Sequence, residues 1–359
     1  MAPLESLIYL IKGLVRPMSA ALESSILSKL PPELLTLIAT FLPAASAASF
    51  ALCCTPLYTL LAILYLKCKH GHHHFKMSEF LSLVERDLKD FIACYHCAKL
   101  HTIKPDKKHI KRASRCDSSV CSLMSRYIGY HFSYIVFQMA MKRHRQDADT
   151  RSLLRLLQSY EINAAGDMQS TSSTRIINGQ LIARRRCILI VHRGNEGPFS
   201  KNWGVYICPH FGIICGRVIL LENSKVGYRM FYKVGGEDVE AGPGATKCDC
   251  GAHVEKDNVS TTCSGLVQCD YCATEFRIDS MAVGRRKEGW AFIITWWKNL
   301  GKGQSVEDPL WSAHVTEGAK ARTDFVAGSI CAAFEGKREV ELHSLLTKKE
   351  LKQVLNFSC

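Results

Sequence analysis

The sequence predicts an α+β fold: a short N-terminal unit of three helices, further helices, and then a mainly antiparallel β region. Three observations support this prediction. Residues 30–66 are almost uncharged and are cut by Pro43 and Pro56 into pieces of two to four helical turns. Apolar residues keep a helical period in parts of residues 67–161. From residue 174 onward the period changes to two, and Asn178-Gly179 supplies the tight turn of a β-hairpin.

The leucine-rich stretch 30–66 is the most apolar part of the chain. In its first piece, apolar residues recur at the spacing of a helical face, at Leu34, Leu35, Ile38, Ala39, Phe41 and Leu42. Helices this short cannot bury their apolar surface against one another alone, so another surface must cover them. The prolines and interspersed Ser and Thr residues argue against a membrane span, although the length would suffice. A plain buried helical core is the remaining alternative.

Later segments predict further helices and strands. Helices are expected at residues 80–92, 124–141 and 151–157, with a terminal helix at 342–355. Residues 162–173 lose all periodicity and mark the best internal boundary. Strands are expected at 187–191, 203–207, 230–234, 265–268, 275–278 and 290–296. The predicted organisation is therefore a poorly ordered segment at 1–29, the three-helix unit at 30–66, a helical region at 67–161 and a β region at 174–359.

The chain is basic, with 46 Lys and Arg against 33 Asp and Glu and a net charge of +13. The excess lies in scattered runs at residues 104–115, 142–145, 184–186 and 285–287. Because no run is interleaved with aromatic residues, we expect solvated faces rather than a nucleic-acid site. A zinc-stabilised nucleic-acid-binding protein is the alternative function that the charge and the cysteines leave open.

The chain contains 17 cysteines, an odd number. Lys12 interrupts the N-terminal apolar run, so residues 1–29 are not interpreted as a secretory signal. Metal binding or burial therefore explains the cysteines better than a disulfide framework does, and an intracellular location, in cytoplasm or nucleus, is expected.

Two groups of cysteines have metal-ligand spacing. Cys94 and Cys97 form a pair with a two-residue spacer at the end of a predicted helix. A tetrahedral zinc site needs two more ligands, which Cys116 and Cys121 could supply, with His101 as an alternative. In the β region the candidate ligands are Cys208, His210, Cys248, Cys250, Cys269 and Cys272. Zinc is the candidate cofactor at both places, and the alternative is that these thiols are core residues.

Catalytic motifs are absent from the sequence. It contains no Gly-x-Ser-x-Gly, no phosphate-binding glycine loop and no His-Glu-x-x-His. Cys94 with His96 or His101 could act as nucleophile and base, but the adjacent Cys97 favours ligation or burial. The sequence therefore favours a protein without catalytic activity of its own.

The leucine-rich stretch resembles an F-box. The residues that carry the resemblance are Leu30-Pro31-Pro32-Glu33-Leu34-Leu35, Ile38, Phe41-Leu42-Pro43, Ser49-Phe50-Ala51-Leu52-Cys53 and Leu57-Tyr58. An F-box is a three-helix module that docks on the Skp adaptor of a cullin-based ubiquitin ligase. The resemblance implies adaptor contacts by Leu30, Pro31, Pro32, Leu34, Leu35, Ile38, Leu42 and Leu52. The alanine-rich second piece, Ala44 to Ala48, departs from the bulkier or charged residues often found there.

A longer resemblance covers most of residues 30–312 and concerns F-box proteins of filamentous fungi. It rests on Glu85-Arg86-Asp87-Leu88, Cys94-Tyr95-His96-Cys97, Met141-Lys142-Arg143-His144, Cys208-Pro209-His210, Cys269-Asp270-Tyr271-Cys272, Thr295-Trp296-Trp297-Lys298 and Asp308-Pro309-Leu310-Trp311. It implies a substrate-recruiting subunit of a Skp-cullin-F-box (SCF) ubiquitin ligase, with the Skp adaptor, a cullin scaffold and a protein cargo as partners. Neither a membrane nor nucleic acid is expected as a partner.

Overall fold

The structure, a computed structural model, confirms the α+β class. It describes residues 25–66, 77–95, 97–102, 121–163, 168–192, 204–214, 217–220, 231–232, 245–247, 252–255, 266–283, 289–316, 318–321, 325–337 and 340–355. The chain divides into two compact units, which we call unit 1 (residues 1–116) and unit 2 (residues 117–359). Among the described residues, no helix combines the length and apolar character needed to cross a bilayer.

Unit 1 begins with three short helices, as the prolines predicted. After a 3-10 turn at Ile26–Lys29 come α1 (Pro32–Phe41), α2 (Ala44–Ala51) and α3 (Thr55–Tyr65). Proline occupies the first turn of α1 and of α3, where its missing N–H costs nothing. Four alanines of α2 are buried, Ala45, Ala47, Ala48 and Ala51, and their small size lets the neighbouring helices pack close to its backbone.

A fourth helix and a β-hairpin extend this small core. Helix α4 (Met77–Asp87) contributes Phe80, Leu81 and Val84 to the same apolar cluster as the three short helices. The hairpin of β1 (Phe91–Cys94) and β2 (Lys99–Thr102) follows, with Ala98 at a positive φ of 48° in its turn. Cys94 and Cys97 were expected at a helix end but lie in this hairpin, because the helix stops at Asp87.

Unit 2 is built around a six-stranded antiparallel sheet in the order β12-β13-β14-β5-β4-β3. Its strands are β3 (Ser159–Ile162), β4 (Met168–Ile177), β5 (Gln180–His192), β12 (Val267–Gln268), β13 (Thr274–Val283) and β14 (Gly289–Asn299). The predicted turn at Asn178-Gly179 is confirmed, since both residues have positive φ and join β4 to β5.

The sheet is covered on both faces. On one face, Ile294 and Trp296 of β14 pack with Cys208 and Cys269 from neighbouring loops. On the other, Trp297 packs with residues of the C-terminal helices, and its indole N–H donates to Glu335. Both faces of β14 are buried, so its sequence is a nearly continuous apolar run and does not alternate between apolar and polar residues.

The other described elements of unit 2 are helices and two smaller sheets. The helices are α5 (Cys121–Tyr127), α6 (Tyr134–Arg145), α7 (Arg151–Leu156), α8 (Pro309–Val315), α9 (Ser329–Glu335), α10 (Leu342–Leu345) and α11 (Lys348–Leu355). Smaller three-stranded sheets contain β6 (Gly204–Tyr206), β7 (Phe211–Ile214) and β8 (Arg217–Leu220), and β9 (Phe231–Tyr232), β10 (Ala245–Lys247) and β11 (Ala252–Glu255).

The sequence predicted a domain boundary at residues 162–173, but the structure places a strand there. Strand β4 begins at Met168 and pairs with β3 and β5 in one sheet, and the division between the two units falls at residues 116 and 117 instead. The strand is polar, and Gln169, Ser170 and Ser172 are nevertheless buried. A search for apolar periodicity misses such a strand because its inward side chains are hydrogen-bonding ones.

Two predicted helices are each divided in the structure. The helix expected at 124–141 is interrupted before Ser133, whose hydroxyl caps α6. The terminal helix is interrupted at Thr347, which begins α11 with a capping box. The Glu350 N–H donates to the Thr347 hydroxyl, while the Thr347 N–H donates to the Glu350 carboxylate at 2.7 Å.

Candidate functional site

Helix α1 carries two apolar faces with different environments. Leu35 and Ala39 are buried in the core of unit 1. Leu34, Leu37, Ile38 and Phe41 are exposed, and their spacing of three, four and seven residues places them on one stripe of the helix. Phe41 is 81% exposed. Water therefore contacts a row of large apolar side chains that unit 1 leaves uncovered among its described residues.

The other residues predicted to contact the adaptor differ in how far they are exposed. Pro31 and Pro32 are exposed, and Leu30, Leu42 and Leu52 are partly buried against the core of unit 1. The predicted adaptor contacts did not include Leu37 or Phe41, although Phe41 was placed on the apolar face of this helix from sequence. They also omitted Ile63 and Leu64, which are exposed on α3. Separating the buried face of α1 from its exposed face by helical period would have added Leu37 and Phe41 to the contacts.

Unit 2 contains a cavity of about 470 Å³, a volume typical of ligand pockets. Its lining includes Arg126, Glu161, Arg185, Tyr206 and Trp296. The Arg126 guanidinium lies 4.8 Å from the centroid of the Tyr206 ring, within cation–π range. Glu161 Oε1 is buried and has no hydrogen-bond partner among the described residues, and burial raises the pKa of this carboxyl group. The cavity thus combines aromatic walls with a free acceptor.

The basic run at residues 184–186 lies in β5 and is not the solvated face expected from the sequence. Arg184 pairs with Glu335 at 3.0 Å, and Arg185 donates to Ser170 and to backbone carbonyls. Arg186 is buried and pairs with Glu350. These three arginines stabilise unit 2 internally, so they do not form the exposed basic stripe of a nucleic-acid-binding protein.

Four candidate metal ligands meet in unit 2. Cys208, His210, Cys269 and Cys272 are all buried, and their ligand atoms lie within 4.8 Å of one another. We call them the Cys3His cluster. The Sγ atoms of Cys208 and Cys269 are 3.9 Å apart, and Cys269 Sγ lies 3.7 Å from His210 Nδ1. A sulfur separation of 3.9 Å is about twice a disulfide bond length, so these thiols are not bonded to each other.

Two tight turns supply the cluster. Cys208 and His210 lie between β6 and β7, where the backbone N–H groups of Ile207 and Cys208 both donate to Phe211 O. Cys269 and Cys272 lie between β12 and β13, where the Cys269 N–H donates to Thr274 O at 2.9 Å. The chain separation of 61 residues between Cys208 and Cys269 is closed by packing of β6 and β7 on the sheet.

The Cys3His cluster is buried, and burial shifts the pKa values of its thiols and of two nearby basic side chains. Burial raises the pKa of the Cys269 and Cys272 thiols. Burial also acts to raise the pKa of Cys208, but hydrogen bonds with Cys269, Cys272 and His210 outweigh it and lower that pKa. Burial lowers the pKa of Lys298, and it lowers the pKa of His314 to about 3, so His314 is neutral near pH 7.

The second predicted cysteine pair forms a smaller group in unit 1. Cys94, Cys97 and His101 have ligand atoms within 4.8 Å of one another, and Cys97 Sγ lies 3.1 Å from His101 Nε2. Of the alternatives left open by the sequence, His101 is the one that lies beside this pair among the described side chains. Cys248 and Cys250 lie outside the described residues, as does Cys116.

Comparison with known families identifies the N-terminal module. Residues 27–69 match the F-box domain family. No match to the chain was found among curated proteins or among solved structures. The matched segment contains α1, α2 and α3 together with the exposed stripe, and it supports a general role as a substrate adaptor of an SCF-type ubiquitin ligase. The filamentous-fungal subtype stays a prediction. The chain is an F-box domain-containing protein.

Proposed function

We propose that this protein is the substrate-recruiting subunit of an SCF ubiquitin ligase and that its F-box docks on the Skp adaptor through the exposed stripe of α1. The observation that carries the proposal is the row formed by Leu34, Leu37, Ile38 and Phe41 inside the segment that matches the F-box domain. A contiguous exposed row of large apolar side chains is typical of a protein–protein interface.

The free energy of docking comes from removing this row from water. Full burial of one Leu, Ile or Phe side chain contributes roughly 1.5–3 kcal/mol. Phe41 has the most to gain, since it is 81% exposed in the free chain. Aromatic anchors at the centre of an interface commonly dominate the binding free energy. Phe41 is therefore the side chain we expect to contribute most to adaptor affinity.

Cargo recognition is assigned to unit 2. Its cavity offers an aromatic wall at Tyr206, a guanidinium at Arg126 and an unsatisfied acceptor at Glu161. A cargo segment that inserts an amide or basic side chain would satisfy Glu161, because that carboxylate oxygen lacks a donor among the described residues. Arg126→Ala and Tyr206→Ala are expected to reduce cargo ubiquitination while adaptor binding persists.

The mechanism is proximity, and the chain itself performs no bond chemistry. Adaptor and cullin scaffold would hold the chain near a ubiquitin-charged conjugating enzyme, and the cargo bound to unit 2 would then present a lysine at high effective concentration. Partner subunits carry out the ubiquitin transfer.

Co-expression of the full chain with a Skp adaptor tests the docking step. The wild-type chain is expected to elute with the adaptor as a one-to-one complex in size-exclusion chromatography. Leu34→Asp and Phe41→Asp should abolish the complex, because each would bury an unpaired charge in the interface. Both positions are exposed, so the melting temperature of the free chain should be unchanged.

A matched control is Ser82→Asp, which adds the same charge to exposed surface of α4 outside the F-box match. This variant should bind the adaptor like wild type. Retention of the complex by both Leu34→Asp and Phe41→Asp would refute docking through this stripe.

A further inference from the structure

We propose that the Cys3His cluster binds one structural Zn²⁺, with three thiolates and His210 Nδ1 as ligands. Tetrahedral zinc with ordinary bond lengths separates two sulfur ligands by about 3.8 Å and a sulfur from a nitrogen ligand by about 3.6 Å. The corresponding separations here are 3.9 Å for Cys208 and Cys269 and 3.7 Å for Cys269 and His210. These two separations match those that zinc requires, and every other pair of ligand atoms lies within 4.8 Å.

A hydrogen bond made by one ring nitrogen of His210 leaves the other nitrogen free to bind the metal. His210 Nε2 lies 2.9 Å from Ala319 O. A carbonyl oxygen can only accept, so Nε2 carries the proton and donates. In the neutral ring, Nδ1 then has a free lone pair directed at the sulfurs. A ligating histidine is usually oriented by this kind of bond to a backbone carbonyl.

Lys298 supplies the charge that such a centre needs. Its side chain is 1% exposed, and its ammonium group has no hydrogen-bond partner among the described residues. Lys298 follows Ile294 and Trp296 on one face of β14, and those two side chains pack with Cys208 and Cys269. With neutral thiols the site would contain an uncompensated buried cation, which is costly. When zinc displaces three thiol protons to solvent, the complex carries a net charge of −1, and Lys298 neutralises it.

Burial and ligand number assign the ion a structural role. All four ligands are at most 1% exposed, and together they fill a tetrahedral shell without an open position for water or substrate. The ion would join the β6–β7 turn to the β12–β13 turn. Tyr206, which lines the cavity of unit 2, lies two residues before Cys208. The metal would therefore also hold one wall of that cavity in place.

Zinc analysis of the purified full chain tests the proposal directly. Chain expressed with Zn²⁺ in the medium and passed through desalting is expected to retain zinc. Cys269→Ser and Cys272→Ser should each lose one zinc ion per chain relative to wild type. The control, Cys331→Ser, alters another buried cysteine of unit 2 outside the cluster and should lose none. Because each variant is compared with wild type in zinc content per chain, any metal held by Cys94, Cys97 and His101 does not affect the result.

Substitution with Co²⁺ adds a readout that does not depend on stability. The cobalt protein should show intense sulfur-to-metal charge-transfer absorption together with tetrahedral d–d bands. His210→Cys, which keeps four ligands, should retain the ion and increase the charge-transfer intensity. Lys298→Met should weaken zinc retention against a competing chelator, since it removes the balancing charge.

Three results would overturn the inference. These are wild-type chain that carries no zinc, equal zinc content in wild type and the Cys269→Ser variant, and a disulfide between Cys208 and Cys269 detected by mass spectrometry of freshly purified protein. Each of these is independent of the adaptor, because the cluster lies in unit 2 and the F-box in unit 1. Failure here would leave the proposed docking function untouched.

Discussion

Replacing Glu350 by Gln is expected to destabilise unit 2 strongly. Glu350 and Arg186 form an ion pair whose side chains are 1% and 2% exposed. The carboxylate also accepts from Thr171 and from the Thr347 hydroxyl and N–H, so it joins β4, β5 and α11. Glutamine retains the size and can still cap α11, but it leaves the arginine without a counter-charge in a buried site.

The magnitude follows from the burial of the pair. Removing one partner of a buried ion pair costs about 3–5 kcal/mol, because the other charge remains buried and unpaired. In a domain the size of unit 2, each kcal/mol lowers the melting temperature by about 2–4 °C. Calorimetry of the Glu350→Gln variant should therefore record a decrease of roughly 6–20 °C.

The pH dependence gives an independent readout of the same pair. Burial acts to raise the pKa of Glu350, but the hydrogen bond and charge of Arg186 outweigh it, so the folded-state pKa is lowered. A carboxyl group with a lowered folded pKa contributes stability above its unfolded pKa, near 4.3, and loses it as the pH falls through the folded value. Wild type should therefore lose more stability on acidification than the variant.

Asp149→Asn provides the control. Asp149 pairs with Arg151 on the surface, where the side chains are 58% and 82% exposed, and exposed pairs contribute little. This variant should melt like wild type. If Glu350→Gln also melted within about 2 °C of wild type, less than the shift expected for 1 kcal/mol, the reasoning on burial would be refuted.

Further predictions concern single positions and the metal. Leu35→Ala should lower the unfolding free energy of unit 1 by about 2–5 kcal/mol in denaturant titration, since Leu35 lies in its core. An unchanged midpoint would contradict that placement. Gly179→Ala should cost about 1–2 kcal/mol from backbone strain alone, whereas Gly303→Ala should cost more, because its new Cβ would stand 3.0 Å from the Phe137 ring. Equal costs in the same titration would contradict the steric part. A strong chelator should lower the melting temperature of the wild-type chain but leave that of Cys272→Ser unchanged, and an equal effect on both would count against the metal.

The features predicted well from sequence depend on neighbours in the chain. Pro43 and Pro56 mark helix starts, and Asn178-Gly179 fixes a hairpin, because each acts through the local backbone. The F-box segment was recognised for the same reason, since its apolar and proline positions lie within about forty residues, and its match to the domain family confirms that identification.

The features that were missed depend on contacts distant in the chain. The polar part of strand β4, residues 168–173, pairs with β3 and β5, and its Gln169 and Thr171 side chains donate to Glu350 of the C-terminal helix α11. The arginines of residues 184–186 resemble a surface run until Glu335 and Glu350 are brought to them by the C-terminal helices.

For the cysteines of unit 2, spacing alone could not choose which pairs meet. The sequence offered six candidate ligands in this region, Cys208, His210, Cys248, Cys250, Cys269 and Cys272, without choosing among them. Among the described residues, it is Cys208 and His210 that join Cys269 and Cys272. Which cysteines come together depends on how β6 and β7 pack on the sheet, and local sequence spacing carries no information on that packing.

The exposed stripe of α1 has a consequence for the abundance of this protein in the cell. On the proposed function, the adaptor binds the folded F-box and not the unfolded chain, so it stabilises the fold by mass action, by about 2.7 kcal/mol when its free concentration is a hundred times Kd. Chains made in excess of adaptor would keep Phe41 and its neighbours in water and unfold more often. The concentration of the adaptor would thereby set how many copies escape proteolysis and so control the steady-state amount of this subunit.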